Sequence, residues 1–271
     1  MDKLYSSDMP PLMILCGGQG TRLRDVTELL PKPMVPIGSQ PILWHIMKGY
    51  AAFGVKRFIL CLGYKRESFI DYFLNFRARA SDITVSLGGL NDIVYHGSSH
   101  EDDWVVTLAD TGDSTMTGGR IARAAKYLTA EDNDFFLTYG DAVADVNIAE
   151  LLRFHRSHQR MISLTAIQPS GRFGEIRFDG DMVDGFTEKP IRDKGYINGG
   201  FMVLKKEAVS RYIPNCDDAV FEQEPIQTAV QEQQMMAFKH DGFWQCMDTP
   251  REHKLLTDMW NGGRAEWTKY W

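Results

Sequence analysis

Cysteine is scarce in this sequence: four residues, Cys16, Cys61, Cys216 and Cys246, among 271. None forms a Cys-x-x-Cys pair, so no zinc or dithiol redox motif fits. Cys16 and Cys61 lie in apolar runs and are expected to be core thiols. No run reaches the ~18 apolar residues of a membrane-spanning helix. The first ten residues lack the apolar stretch of a signal peptide. They read as a short, loosely held extension of a soluble, cytoplasmic protein with no membrane partner. Basic charge is also in deficit. Lys and Arg number 30 against 36 Asp and Glu, a net charge of −6, which argues against a nucleic-acid partner.

Two common phosphate loops are missing as well. No GxxxxGK run followed by Ser or Thr is present, so a P-loop is excluded. Gly18-Gln19-Gly20 begins like a dinucleotide fingerprint, but Leu23 occupies the place of its third glycine. That weakens a nicotinamide dehydrogenase reading. No Ser-His-Asp or Cys-His arrangement suggests a covalent nucleophile.

What is present is a full apolar complement, 44% of the chain, enough for one large core. Leu12 to Cys16 reads as a buried strand that empties into Gly17, Gly18 and Gly20. Glycines let the backbone approach a ligand closely, and successive N–H groups in such a turn form an anion site. Arg22 and Lys32 add positive charge just beyond. Backbone donors plus two cations suit a nucleoside triphosphate. An acidic protein must concentrate its cations in this way to hold one.

Strand and helix patterns then alternate. Helices are expected from Pro41, over 67–76, over 117–128 and after Asn147 as cap; strands are expected over 55–62, 134–139 and 161–168. That order implies a parallel sheet with crossover helices, with ligands at the carboxyl ends of its strands. Strands are also expected within 83–95 and over 104–109. From Pro169 the segments shorten; 174–178, 182–189 and 195–204 read as a more antiparallel region. Helices over 207–212 and 221–231 follow, then a strand at 235–239. A C-terminal helix over 251–260 is stopped by Gly262-Gly263. The fold class expected is α/β. A Rossmann-like, mostly parallel mixed sheet is flanked by helices, with a smaller antiparallel insertion and a C-terminal helix, in a single domain over 11–271.

Two carboxylates stand where such a sheet presents its ligand edge. Asp141 follows an apolar strand and Gly140; Asp248 precedes Thr249-Pro250. Either could cap a turn or helix, and the pair could hold a magnesium ion, which takes one or two carboxylates plus phosphate oxygens.

The run Gly17-Gly18-Gln19-Gly20-Thr21-Arg22-Leu23, followed by Pro31-Lys32-Pro33-Met34, resembles the signature of the sugar-nucleotide pyrophosphorylases, a nucleotidylyltransferase family. The segments 41–47, 110–120 and 244–249 extend the resemblance from about Leu12 to the C-terminus. It implies transfer of a cytidylyl group from CTP to a sugar 1-phosphate, foremost α-D-glucose 1-phosphate, with release of pyrophosphate for nucleotide-sugar biosynthesis. It makes Asp141 and Asp248 the Mg²⁺ ligands and places Arg22 and Lys32 in catalysis. Nucleotide binding falls to Leu15, Cys16, Gly17, Gly18, Gln19, Gly20, Thr21, Arg22, Lys32, Thr115, Arg120 and Gly140. Sugar-phosphate binding falls to Glu188, Lys189, Asn198 and Gly199. It also implies a homo-oligomer, with the aromatic tail Trp267, Tyr270 and Trp271 packed on its own subunit or a neighbour. Cys16, Ala142 and Cys246 depart from the usual pattern, where alanine, glycine and proline are common. Another triphosphate, dTTP or UTP, another sugar phosphate, or a non-catalytic homologue remain as alternatives.

Overall fold

The computed structural model describes residues 9–18, 30–88, 92–169, 175–179, 182–187 and 195–271. The chain opens with β1 (Leu12–Leu15), the short hairpin β2 (Pro36–Ile37) and β3 (Gln40–Pro41), and the helix Ile42–Ala51. β4 (Arg57–Leu62) and the helix Arg66–Leu74 follow, then the hairpin β5 (Asp82–Val85) and β6 (Ile93–His96), then β7 (Val105–Asp110). The helix Thr117–Ala124 leads to β8 (Asp134–Tyr139), β9 (Ala142–Ala144), the helix Ile148–His158 and β10 (Ile162–Ile167). The last third holds the hairpin β11 (Glu175–Asp179) and β12 (Met182–Thr187), then β13 (Ile197–Lys205) and the helices Glu207–Tyr212 and Glu224–Gln231. β14 (Met235–His240), β15 (Trp244–Cys246) and the helix Pro250–Asn261 complete it.

Seven of these strands form one sheet in the order β14-β10-β13-β8-β1-β4-β7. β1 runs parallel to both neighbours, β4 and β8. β13 is antiparallel to β8 and β10. Both faces are covered, which is why the strands read as continuous apolar runs rather than alternating ones. Leu12 and Ile14 enter one core cluster; Met13 and Leu15 enter the other. Phe58 and Leu60 against Ile59 and Cys61 repeat the division, as does Phe136 against Phe135 and Leu137. Cys16 and Cys61 are buried thiols, as expected.

The chain leaves β1 toward β4 and β7, then returns to the opposite side of β1 as β8. The order therefore reverses between β1 and β8, and the connections leaving their carboxyl ends diverge. A crevice opens there, the place where sheets of this kind bind ligands.

Three expectations are corrected. The segment 195–204 belongs to the central sheet rather than to an antiparallel insertion; β13 sits between β8 and β10, with Phe201 to Leu204 buried. Its adjacent glycines, Gly199 and Gly200, disguised a core strand. The helix expected over 67–76 breaks at Asn75 into two pieces. The helix expected from Phe221 begins at Glu224, with Pro225 in its first turn, where a missing N–H costs nothing.

The tail docks on its own chain. Thr249 and Glu252 form a reciprocal capping box that starts the last helix. Beyond it Trp267 is buried, and its indole N–H donates to His45 Nδ1 at 3.3 Å. His45 Nε2 donates to the Ile37 carbonyl at 3.0 Å. Trp260 and Trp271 complete an aromatic cage around the imidazole. Of the expected N-terminal extension, residues 1–8 lie outside the described residues, whereas Pro10 is buried and Met9 packs on the core.

Candidate active site

The crevice between β1 and β8 is a cleft of about 690 Å³. One wall is Leu15, Cys16, Gly17 and Gly18, the chain leaving β1. The facing wall is the stretch from Asp113 to Thr117 with Arg120, and the floor is Lys32, Pro33, Gly140, Asp141 and Asp248. Among the described residues nothing stands within 4 Å of the position a Gly18 side chain would take. Gly140 is held close instead: a Cβ there would lie 2.9 Å from Pro33 Cγ, and its N–H donates to the Leu15 carbonyl at 3.1 Å.

Lys32 is the focus of the floor. It opens a single 3₁₀ turn, Lys32–Met34, between Pro31 and Pro33, whose rings restrict the local backbone. Its ammonium donates to Asp141 Oδ2 at 2.7 Å and to Asp248 Oδ1. Asp141 arrives from the end of β8. Asp248 arrives just past β15, which pairs with β9 and so brings the C-terminal segment to the same edge. Burial alone would lower the lysine pKa. The neighbouring carboxylates, Asp141 foremost, more than offset that, and the group is held above the ordinary lysine value. Of the roles left open for Asp248, capping goes to Thr249.

The carboxylate pair fits a hard divalent cation. Both groups are partly open to solvent and converge on one positive charge. Among the described residues no group of three or more His, Cys, Asp or Glu could hold a metal. Two protein carboxylates completed by phosphate oxygens is the way Mg²⁺ is commonly held beside a nucleotide.

Arg120 is buried, and its hydrogen bonds run into the protein. Nη1 donates to Leu62 O, Thr111 Oγ1 and Gly112 O at 3.0, 2.9 and 2.7 Å. Nη2 donates to Gly17 O and Asp113 O at 3.2 and 3.1 Å. The guanidinium fills the space that glycine leaves at two positions. A Cβ on Gly17 would lie 2.0 Å from its Cζ, and one on Gly63 2.4 Å from Nη1. Arg120 therefore ties both cleft walls together. Thr115 is likewise buried, donating to Asp217 Oδ1 at 2.9 Å and accepting from Arg123 at 2.7 Å.

Asn198 and Gly199 stand at the start of β13, beside Tyr139. Asn198 Nδ2 reaches the Tyr139 hydroxyl at 3.4 Å. The Gly199 carbonyl accepts from the Trp244 indole at 2.7 Å. Gln19, Gly20, Thr21, Arg22, Glu188 and Lys189 lie outside the described residues.

Sequence reasoning missed Thr117, Asp217 and Glu222. Tyr139 donates to Glu222 Oε1 at 2.5 Å, and Thr117 donates to Glu222 Oε2 at 2.6 Å. Pro225 was the available signal. It fits the first turn of a helix, which leaves Glu222 in the preceding turn and free to point elsewhere.

An open α/β sheet with a glycine turn, a lysine and two carboxylates at its switch point has the layout of a nucleotide site. The chain matches the family model described as nucleotidyl transferase over residues 12–251, and it belongs to that family. It is 46% identical to the glucose-1-phosphate cytidylyltransferase of Salmonella typhi over 96% of this chain and 98% of that one. It is 38% identical to the probable glucose-1-phosphate cytidylyltransferase of Bacillus subtilis over 96% and 99%. A crystal structure of HddC from Yersinia pseudotuberculosis, complexed with GMP-PN, shares the fold with a TM-score of 0.65 and 24% identity, covering 93% of this chain and all of that one.

Proposed function

We propose that this protein transfers a cytidylyl group from CTP to α-D-glucose 1-phosphate, giving CDP-glucose and pyrophosphate. The observation that carries the reading is the Lys32 ammonium set between Asp141 and Asp248 on the cleft floor. The two cytidylyltransferase relatives, each matched over nearly its full length, supply the substrates. Members of the same family from fungi are mannose-1-phosphate guanyltransferases, one of them, from Candida albicans, 27% identical over 89% of this chain. Another triphosphate or another sugar is therefore the second reading.

The acceptor oxygen of the sugar phosphate is already an oxyanion, so no side chain has to remove a proton. Its difficulty is approaching a second anion. Lys32 lies at the meeting point and offsets that repulsion. It also faces the charge that develops around the α-phosphorus as pyrophosphate leaves. The open space beside Gly18 gives the triphosphate room next to the backbone. Arg120 fixes the two walls against each other, which holds donor and acceptor in line. Asp141 and Asp248 would hold Mg²⁺, which when bound supplies further positive charge to the phosphate oxygens.

We also place the protein in the cytoplasm as a homo-oligomer. Among the described residues no helix is long and apolar enough to cross a membrane. Exposed apolar side chains gather on the β5–β6 hairpin, at Ile83, Val85, Ile93 and Val94, a surface suited to association.

Pyrophosphate release from CTP and glucose 1-phosphate tests the reading. It should require Mg²⁺, stop in EDTA and fall about 100-fold or more in Asp141→Asn. Full activity in EDTA would remove the metal role.

A further inference from the structure

The segment before the helix Glu224–Gln231 crosses the start of the helix Thr117–Ala124. Gly118 N–H donates to Ala219 O at 2.8 Å, and Phe221 N–H donates to Thr117 Oγ1 at 2.9 Å. Gly118 and Gly119 permit the approach, since a Cβ on either would meet Ala219 O at 2.8 Å or Cys216 O at 2.3 Å. This strap ends at Glu222, an exposed carboxylate whose two oxygens are spent differently. One holds Thr117, on the wall that carries Arg120. The other holds the hydroxyl of Tyr139, at the end of β8.

Tyr139 is confined on its other sides. Its ring lies against Gly200, where a Cβ would sit 2.7 Å from Cδ2. Gly200 has φ +83°, a left-handed backbone that glycine adopts without strain. Asn198 Oδ1 accepts the Gly200 N–H at 2.9 Å, and Asn198 Nδ2 approaches the tyrosine oxygen at 3.4 Å. A phenol has one proton to donate and two lone pairs to accept with. Glu222 takes that proton in its hydrogen bond. Asn198 Nδ2 donates to one lone pair, so what Tyr139 offers the cleft is the remaining one, an acceptor.

We propose that Glu222 is a positioning residue for the acceptor sugar: it orients the Tyr139 hydroxyl so that the phenol oxygen accepts a hydrogen bond from a sugar hydroxyl. This rests on the sugar 1-phosphate reading above and deepens it. Glu222 acts on the sugar through Tyr139, and on the nucleotide side only through Thr117.

Isothermal titration of CDP and of CDP-glucose into the full chain separates these effects. In Glu222→Ala the affinity for CDP should change by less than about twofold, and that for CDP-glucose should weaken about tenfold, the size of a lost charge-assisted hydrogen bond. Tyr139→Phe should match it, and the double variant should be no weaker than Tyr139→Phe alone. Glu222→Gln keeps an accepting oxygen and should recover much of the loss. Equal weakening of both ligands, weakening of neither, or additive losses in the double variant would overturn the proposal. Wild-type protein that binds neither ligand would instead overturn the nucleotide-sugar reading, and this inference with it.

Discussion

Lys32 Nζ lies 2.7 Å from Asp141 Oδ2, although the two residues are 109 positions apart in the chain. Two devices join them. The Pro-Lys-Pro turn aims the lysine, and β8 delivers the aspartate to the switch point. Lys32→Ala should lower kcat about 100-fold or more, the usual cost of removing a group aimed at developing charge. Lys32→Arg should not restore it, since a planar guanidinium cannot place one compact charge between two carboxylates. Steady-state kinetics with near wild-type kcat in Lys32→Ala would remove Lys32 from the chemistry.

Arg120 makes five hydrogen bonds, among them one to Gly17 O and one to Asp113 O on opposite cleft walls. Removing it takes a donor from the buried Gly17 carbonyl and from the part-buried Gly112 and Asp113 carbonyls, and an unsatisfied buried acceptor costs about 1–3 kcal/mol. Arg120→Ala should therefore lower the urea midpoint and raise the KM for the triphosphate. Arg120→Lys should recover little, because three donors on one nitrogen cannot span that fork. An unchanged midpoint in both variants would contradict the clamp.

His45 gives stability a pH dependence. Burial lowers its pKa from 6.5 to about 4, outweighing the backbone hydrogen bonds at Ile37 and Gln40, which favour the protonated ring. The unfolded chain then binds the extra proton first. The stability is fully present above about pH 6.5 and is lost as pH falls toward 4, by about 3 kcal/mol in all. Denaturant unfolding followed across that range should show the slope, and His45→Gln should flatten it. Identical pH profiles would show that His45 is not its source.

The aromatic tail stabilises its own subunit. Trp267 is 3% exposed and stacks on Trp260. Trp267→Ala should cost about 3–5 kcal/mol. Light scattering on the full chain and on a chain ending at Asn261 separates folding from assembly. An oligomer that survives truncation would place the association elsewhere, with the β5–β6 hairpin as the expected surface. A full-length monomer at micromolar concentration would contradict the homo-oligomer.

Strands with strong apolar runs were legible in the sequence. β8 is observed over the expected residues, and Asn147 caps its helix by accepting from Glu150 N–H at 3.0 Å. The position of Asp141 was legible for the same reason: in a strand followed by Gly-Asp the acid falls at the strand's carboxyl end. β13 was harder, because glycines required for close approach to Tyr139 and Ile167 broke its apolar pattern. The short pair β9–β15 was invisible, since three residues on each side carry no periodicity. Arg120 illustrates a deeper limit. Its residue type suggested an anion contact, but only the spaces at Gly17 and Gly63 reveal a clamp. Glu222 was hidden because its partners, Thr117 and Tyr139, lie far from it in the chain.

The central claim is cytidylyl transfer to a sugar 1-phosphate in this cleft. Pyrophosphate release measured with CTP, dTTP, UTP and GTP, each crossed with several sugar 1-phosphates in the presence of Mg²⁺, tests it most directly. The account predicts the highest kcat/KM for CTP with glucose 1-phosphate, and no release when either is omitted. Highest turnover with another triphosphate, or no pyrophosphate from any pair, would contradict it.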